Sequence, residues 1–328
     1  MEPVNSRDLK GIEESGCPFM GVFLLRNVSR RTAKTGKPFL VVEVGDRFGS
    51  FTFNVFEENA SFNMLQNSGL GAFLEISGTT ESFNDRFSPR ITGIRRMTPA
   101  EIKGQRLENQ LYDGPKESPE MLGKELESHI ARIKHDKLRQ TVQRALTDVG
   151  EIFWKNTAAV SMHHAYQCGL LEHTVHVTRA GIALLPHYPQ INSDLAIAGM
   201  ILHDVGKSFE YEGEGVYKRT CLGNLQGHVV LGYRIVRKAA LSVDLDDELT
   251  LQLEHIVLCH QGMLEYGAAV LPSSPEGIFV ALVDNLDARM GMVERAIDNT
   301  PPKLEFSEKI LGLENVRVFT KGRSSGAI

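Results

Sequence analysis

Residues 200–211 read MILHDVGKSFEY. An apolar run stops at His203-Asp204, and Lys207 follows three residues after the aspartate. The pair reads either as a helix cap beside a satisfied core histidine or as half of a metal site, since imidazole and carboxylate are ligands for divalent cations. Taken singly, a buried histidine is a core residue. The rest of the chain tips the balance. His173 in GLLEHTVHV, His228 in LQGHVVLG, His260 in LEHIVLCHQG and Asp284 in LVDNLDARM each lie in or at the end of an apolar helical stretch. Burying one such group without a partner costs several kcal/mol, and a cation offsets that cost for the whole set. Neighbouring helical residues point about 100° apart. His203 and Asp204 therefore reach one centre only near a helix end, or else Asp204 bridges two cations while His203 holds one.

The chain has 328 residues, enough for two domains, with 42% hydrophobic and 23% charged residues. This is the composition of an ordinary globular protein. No apolar run reaches the ~18 residues of a membrane span, and the polar start MEPVNSRDLKGIEES lacks the features of a secretory signal. Cys17, Cys168, Cys221 and Cys259 are scattered with no C-x-x-C pair, which argues against a zinc ribbon or a disulfide framework. A cytoplasmic location and no membrane partner are the expectation. Net charge is −5, yet residues 17–98 carry ten Lys and Arg against seven acids. A mildly basic module on an acidic body suits a nucleic-acid reader attached to something else.

The hydrophobic period changes along the chain. FMGVFLLRNVSRR, KPFLVVEVGDRFG, SFTFNVFEE, AFLEISGTTESF and SPRITGIRRM read as five strands, and ENASFNMLQNSGL as a short helix plugging them. That order predicts a small closed antiparallel barrel resembling an OB-fold. Phe39, Phe48, Phe51, Phe53, Phe83 and Phe87 are candidates for base stacking, although alternating Phe is more often core. From about residue 120 the apolar spacing is helical, as in Leu122, Leu126, Ile130 and Ile133. The expected organisation is an extension over 1–16, the OB-fold over 17–98, a Pro- and Gly-bearing linker over 99–119, an all-α domain over 120–315 and a disordered tail over 316–328.

The ordered set His173, His203-Asp204, Asp284 resembles the H…HD…D signature of the HD metal-dependent phosphohydrolase superfamily. His228 and His260 match the extra histidines of its two-metal branch. With a barrel in front, the layout is similar to YhaM-type 3′-to-5′ exoribonucleases. Cys168 departs from the pattern, where a glycine is expected before GLLEH. The resemblance implies a metal-dependent exoribonuclease that hydrolyses phosphodiester bonds with a metal-activated water, acting on single-stranded RNA and also on single-stranded DNA. It implies two divalent ions, Mn first, with Fe, Ni, Zn, Mg or Co as alternatives. His173, His203, Asp204 and Asp284 would hold one ion, and Asp204 would bridge to a second held by His228 and His260. Asp204 and Lys207 are the expected catalytic residues. Lys207, His163, His164 and Arg289 are the expected phosphate contacts. Arg30, Arg31, Lys34, Lys37, Phe39 and Phe53 are the expected nucleic-acid contacts.

Blander roles fall to the neighbours. His176 reads as structural, His129, His135 and His187 as solvated, and Cys259 as packing. Asp287 reads as a partner behind the ligands, His255 as facing elsewhere, and the acidic run from Asp244 to Glu248 as a helix cap. Apolar AGIALLPHYP and YGAAVLP could mediate a homo-oligomer. The rival readings keep the metal: a phosphohydrolase of a nucleotide or cyclic dinucleotide with a regulatory barrel, or a non-catalytic nucleic-acid binder with a structural metal.

Overall fold

The computed structural model describes residues 3–12, 14–83, 86–160 and 164–323. The chain forms two compact units. One comprises Met1–Asp113 with Glu294–Ile328, the other Gly114–Val293.

The first unit is built on β1 (Pro18–Thr32), β2 (Pro38–Asp46), β3 (Gly49–Phe56), β4 (Phe73–Thr79) and β7 (Arg90–Met97), with a two-residue pair β5 (Ser82–Phe83) and β6 (Arg86–Phe87) before the last strand. The five-stranded sheet is antiparallel throughout, in the order β3-β2-β1-β4-β7. β1 is long because it serves two neighbours. Pro18–Leu24 pairs with β4, Leu24–Thr32 pairs with β2, and the register shifts between Leu25 and Asn27. A bulge of this kind bends a strand. Strict alternation puts Phe51, Phe53 and Val55 into the core, beside Phe19, Phe23, Leu40, Val42, Leu74 and Ile76. Phe62 and Leu65 of α2 (Phe62–Gln66) join that core as the expected plug.

The strand order is that of an OB-fold, which is often partly open. The full closure expected from sequence is not made: among the described residues no ladder joins β3 to β7. The stretch 99–119 also differs from a plain linker. It holds α3 (Pro99–Gly104) and α4 (Glu108–Leu111), whose Ile102, Leu107 and Leu111 pack with Val22, Leu24 and Met97. Pro, Gly and charge hid three well-spaced apolar residues. Part of the expected tail is likewise ordered, with bridges Phe306↔Phe319 and Ile310↔Val316.

The second unit is helical: α5 (Pro119–Ala131), α6 (Asp136–Val149), α7 (Glu151–Lys155), α8 (Gly169–Leu184), α9 (Ser193–Leu202), α10 (Lys207–Glu210), α11 (Cys221–Ser242), α12 (Asp247–Cys259) and α13 (Pro275–Asn299), with one hairpin of β8 (Tyr211–Glu214) and β9 (Val216–Arg219). α1 (Ser6–Lys10) belongs to the first unit. Every residue of α9 from Leu195 to Leu202 is buried, as expected of a helix apolar all round. Asn192 caps its start and Asp246 caps α12.

Phe23 is fully buried and meets Phe51 edge-on, with ring centroids 5.0 Å apart. Phe23→Ala should therefore cost about 3–5 kcal/mol, read as a lower urea midpoint for loss of β-sheet signal.

Candidate metal centre

Five helices and the ends between them bring the predicted ligands together. His173 sits mid-helix on α8, and Asp284 lies on α13. His203 is the C-cap of α9 and His260 the C-cap of α12. The pair His203-Asp204 thus stands at a helix end, where two adjacent side chains can share a centre. His228 follows a kink in α11. Gly227 there takes φ 69°, ψ 158°, a conformation that glycine adopts without strain, and the chain turns so that His228 enters the site. Gly206 has a different reason to be glycine. A Cβ there would lie 2.0 Å from the His228 carbonyl oxygen and 2.5 Å from Gly232 N, so the HDVGK turn and α11 touch backbone to backbone.

Asp204 is the hub, and it is 1% exposed. Its Oδ2 lies 3.3 Å from His173 Nε2 and 3.4 Å from His203 Nε2. Its Oδ1 lies 3.4 Å from His260 Nε2 and 3.6 Å from His228 Nε2. Asp284 Oδ1 adds contacts of 3.1 Å to His173 Nε2 and 3.6 Å to His203 Nε2. Two sets, His173-His203-Asp204 and Asp204-His228-His260, each place one ligand atom per residue within 4.8 Å of the others.

The outer ring nitrogens fix the inner ones. His203 Nδ1 donates to Met200 O and His260 Nδ1 to Val257 O, both at 2.7 Å. In the neutral ring each Nε2 therefore presents its lone pair to the site. His173 Nδ1 is 2.7 Å from Asp287 Oδ2, and His228 Nδ1 is 2.7 Å from Glu210 Oε2, the latter off the ideal hydrogen-bond line. His173 Nε2 and His203 Nε2 face each other at 3.1 Å. Two acceptors so placed need a proton or a cation between them.

The charges show the same demand. Burial opposes protonation of His173, but Asp204, Asp284 and Asp287 outweigh it and hold its pKa well above the ordinary value. His203 is likewise raised to about 9, burial being overcome by Asp204 and Asp284. Burial instead lowers His260, which favours the neutral ligand form. Burial disfavours the ionised forms of Asp204 and Asp284, yet Lys207 and the histidines keep Asp204, and the histidines keep Asp284, well below the usual carboxylate range.

Neither Asp204 oxygen receives a well-aligned hydrogen bond, although Lys207 Nζ stands 2.6 Å from Oδ2. Gln261 Nε2, which the sequence reading passed over, lies 2.9 Å from His260 Nε2 and 3.2 Å from His228 Nε2. An ammonium and an amide thus point where a cation would sit. Orphaned buried oxygens, inward lone pairs and a nitrogen–oxygen donor set all fit a divalent metal.

The remaining predictions scatter. Lys207 is in the site, with its side chain 10% exposed. His163 lies outside the described residues. His164 is buried, with Nδ1 facing Tyr166 OH at 2.8 Å and Glu172 Oε2 at 3.1 Å, and Nε2 facing Asp287 Oδ2 at 3.2 Å. It braces Asp287. Arg289 donates from Nε to Asn285 Oδ1. His255 accepts from Ser273 N, and His129 is buried against Glu125 rather than solvated. Cys168 has φ 65°, the left-handed region that favours glycine, which is the residue the resemblance led one to expect there. AGIALLPHYP supplies Leu184 and Tyr188 to an apolar groove of about 690 Å³ that Ile278, Leu282 and Leu286 of α13 also line.

In the first unit Arg30, Arg31 and Lys34 are exposed, and Lys37 is exposed but paired with Glu58 at 2.5 Å. Phe53 is corrected: at 4% exposure it is core and cannot meet a base. The alternation that buries Phe53 turns Phe56 outward, 51% exposed. Phe56 pairs with Phe39, ring centroids 5.7 Å apart, and Phe39 pairs with Arg31 across β1. Arg31, Phe39 and Phe56 therefore form one row on the outer face.

The helical fold and this histidine–aspartate centre define an HD domain, and the HD domain family model matches residues 170–289. Such a domain binds a divalent metal. The 3′-5′ exoribonuclease YhaM of Listeria welshimeri is 30% identical over 292 residues, 89% of this chain and 91% of that protein. Those of Shouchella clausii and Bacillus pumilus are also 30% identical, over 92% and 91% of this chain and 92% and 93% of their own. This chain belongs to the YhaM family of 3′-5′ exoribonucleases. A replication protein A heterotrimer bound to ssDNA aligns with 33% of the chain at 20% identity and a TM-score of 0.25; so distant a match carries no argument, and the strand order alone supports the OB-like assignment.

Gly206→Ala should push α11 and His228 away from Asp204. Overpacking typically costs about 1–3 kcal/mol. We expect a modestly lower melting temperature and clear loss of bound divalent metal by elemental analysis; unchanged metal content would contradict the packing argument.

Proposed function

We propose that this protein shortens single-stranded RNA from its 3′ end, and single-stranded DNA as a second substrate, by metal-dependent hydrolysis of phosphodiester bonds. The observation that carries the reading is the buried Asp204 shared among four imidazoles, in a chain whose relatives across nearly its full length are named as such exoribonucleases.

His173, His203, Asp204 and Asp284 would hold one divalent ion, and Asp204, His228 and His260 a second. Bound there, such ions supply Lewis acidity toward a phosphate oxygen and increase the acidity of water. Manganese suits the imidazole–carboxylate mixture. The Lys207 ammonium contributes positive charge beside Asp204: burial works against it, but Asp204 and Asp284 raise its pKa, so it stays charged where an anionic phosphodiester must enter. His203 and His260 are oriented by their own helix carbonyls and His173 by Asp287. Arg30, Arg31 and Lys34 would meet the backbone of the strand, and the Phe39–Phe56 pair would stack a base.

With Mn²⁺, a 5′-labelled single-stranded RNA should yield a ladder shortening from the 3′ end, abolished by chelation. Asp204→Asn should lower the rate at least about 100-fold. Cleavage confined to internal positions or to mononucleotides would refute the assignment. Stacking is worth ~1–3 kcal/mol per base. Phe56→Ala should accordingly raise KM for RNA about 5- to 100-fold with the melting temperature unchanged, whereas Phe53→Ala should lower the melting temperature.

A further inference from the structure

Each imidazole in this centre has one nitrogen facing Asp204 and needs its other nitrogen held. His203 and His260 solve this locally. Both end a helix, where the carbonyls three residues back, Met200 O and Val257 O, have no amide partner from a following turn. His173 lies inside α8, and His228 stands just after the Gly227 kink. Neither has such a carbonyl, and each meets a carboxylate from elsewhere in the fold. Asp287 of α13 serves His173, and Glu210 at the end of α10 serves His228.

Both carboxylates are withdrawn from solvent, Glu210 to 1% exposure and the Asp287 side chain to 13%. Each is held in turn by its own group. His164 Nε2 is 3.2 Å and His176 Nδ1 3.6 Å from Asp287. Arg219 Nη2, on β9, is 3.3 Å from Glu210 Oε1. The two supports share no residue and meet only at Asp204.

We propose that Asp287 and Glu210 are positioning residues that tune the two cation sites separately, Asp287 through His173 and Glu210 through His228. This rests on the two-cation reading above. An anionic partner on the outer nitrogen fixes the ring and strengthens its inner nitrogen as a donor, and removing such a partner typically weakens metal affinity 10–100-fold. Because the supports are separate, removing one should leave the other ion's affinity unchanged.

The test is calorimetric titration of Mn²⁺ into chelator-treated full-length protein, with thermal melts of each variant. Wild type should show two binding events. Asp287→Asn should weaken one by 10–100-fold, and Glu210→Gln should weaken the other. In a His260→Ala background the Asp287→Asn effect should persist and the Glu210→Gln effect should vanish. Arg219→Ala, 54% exposed at the side chain, does not threaten the fold and should weaken only the Glu210-dependent event, by about 2- to 5-fold. Either carboxylate variant binding both ions like wild type, or weakening both events equally, overturns the inference. Wild-type protein that takes up a single ion at saturation overturns the two-cation reading itself.

Discussion

A buried carboxylate shared by four imidazoles governs the second unit. Removing one carboxylate from water costs several kcal/mol unless opposite charge and hydrogen bonds surround it. Asp204 meets the charge part of that condition with imidazoles from α8, α11, the end of α9 and the end of α12, while its oxygens still lack well-aligned hydrogen bonds. Three of the four histidines stand at a helix end or just after a kink. That is where a helix leaves carbonyls unmatched and the backbone free to turn. The apolar stretch of α9 from Leu195 to Leu202 makes this possible. Its burial on every side pins the position of its last residue, and the residues directly after it are His203 and Asp204.

The first unit solves a different problem. Its strand parity separates a phenylalanine-rich interior from an outer face of Arg31, Phe39 and Phe56. The sheet can thus be stable and still show aromatic surface, because the two sets of rings belong to opposite faces. The excess of Lys and Arg over acids in residues 17–98, in a chain of net charge −5, gives this stretch as a whole the sign a phosphate backbone requires.

Much of the metal centre was legible because ligand chemistry is costly to bury and therefore conspicuous in apolar runs. His173, His203, Asp204, His228, His260 and Asp284 all stand in such runs, and all converge. The supports were harder to read. Asp287 shares a helix with Asp284 and could be inferred from its three-residue spacing. Glu210 and Gln261 sit beside motif residues in polar surroundings, where acids and amides are common, and only the fold brings them to His228. The burial of His164 was hidden for the converse reason: a polar loop sequence gave no sign that Tyr166 and Glu172 pack against it. Phe53 and Phe56 differ by three residues and hence by one face. The alternation of β3 held that answer, but composition alone treats all phenylalanines alike. The helices of 99–111 were hidden because three apolar residues anchor them amid charge.

Function and stability are only loosely joined in this design. Many small metal domains fold only with their ion because they have little other core. Here the second unit has a large apolar cluster running from Leu122 to Val283, independent of the ligands. Within the site, Lys207 Nζ at 2.6 Å from Asp204 and Gln261 Nε2 at 2.9 Å from His260 supply the positive and donor groups that the oxygens and lone pairs require. The raised pKa values of His173 and His203 do the same with protons. The protein's own donors therefore neutralise a centre that would otherwise repel itself, and they occupy the directions from which a cation must bind. A cation entering here would exchange protons and side-chain contacts for its own ligands rather than fill a bare charged hole. On the proposed reading, that exchange sets how tightly a cation is held and gives Asp287 and Glu210 their leverage over it.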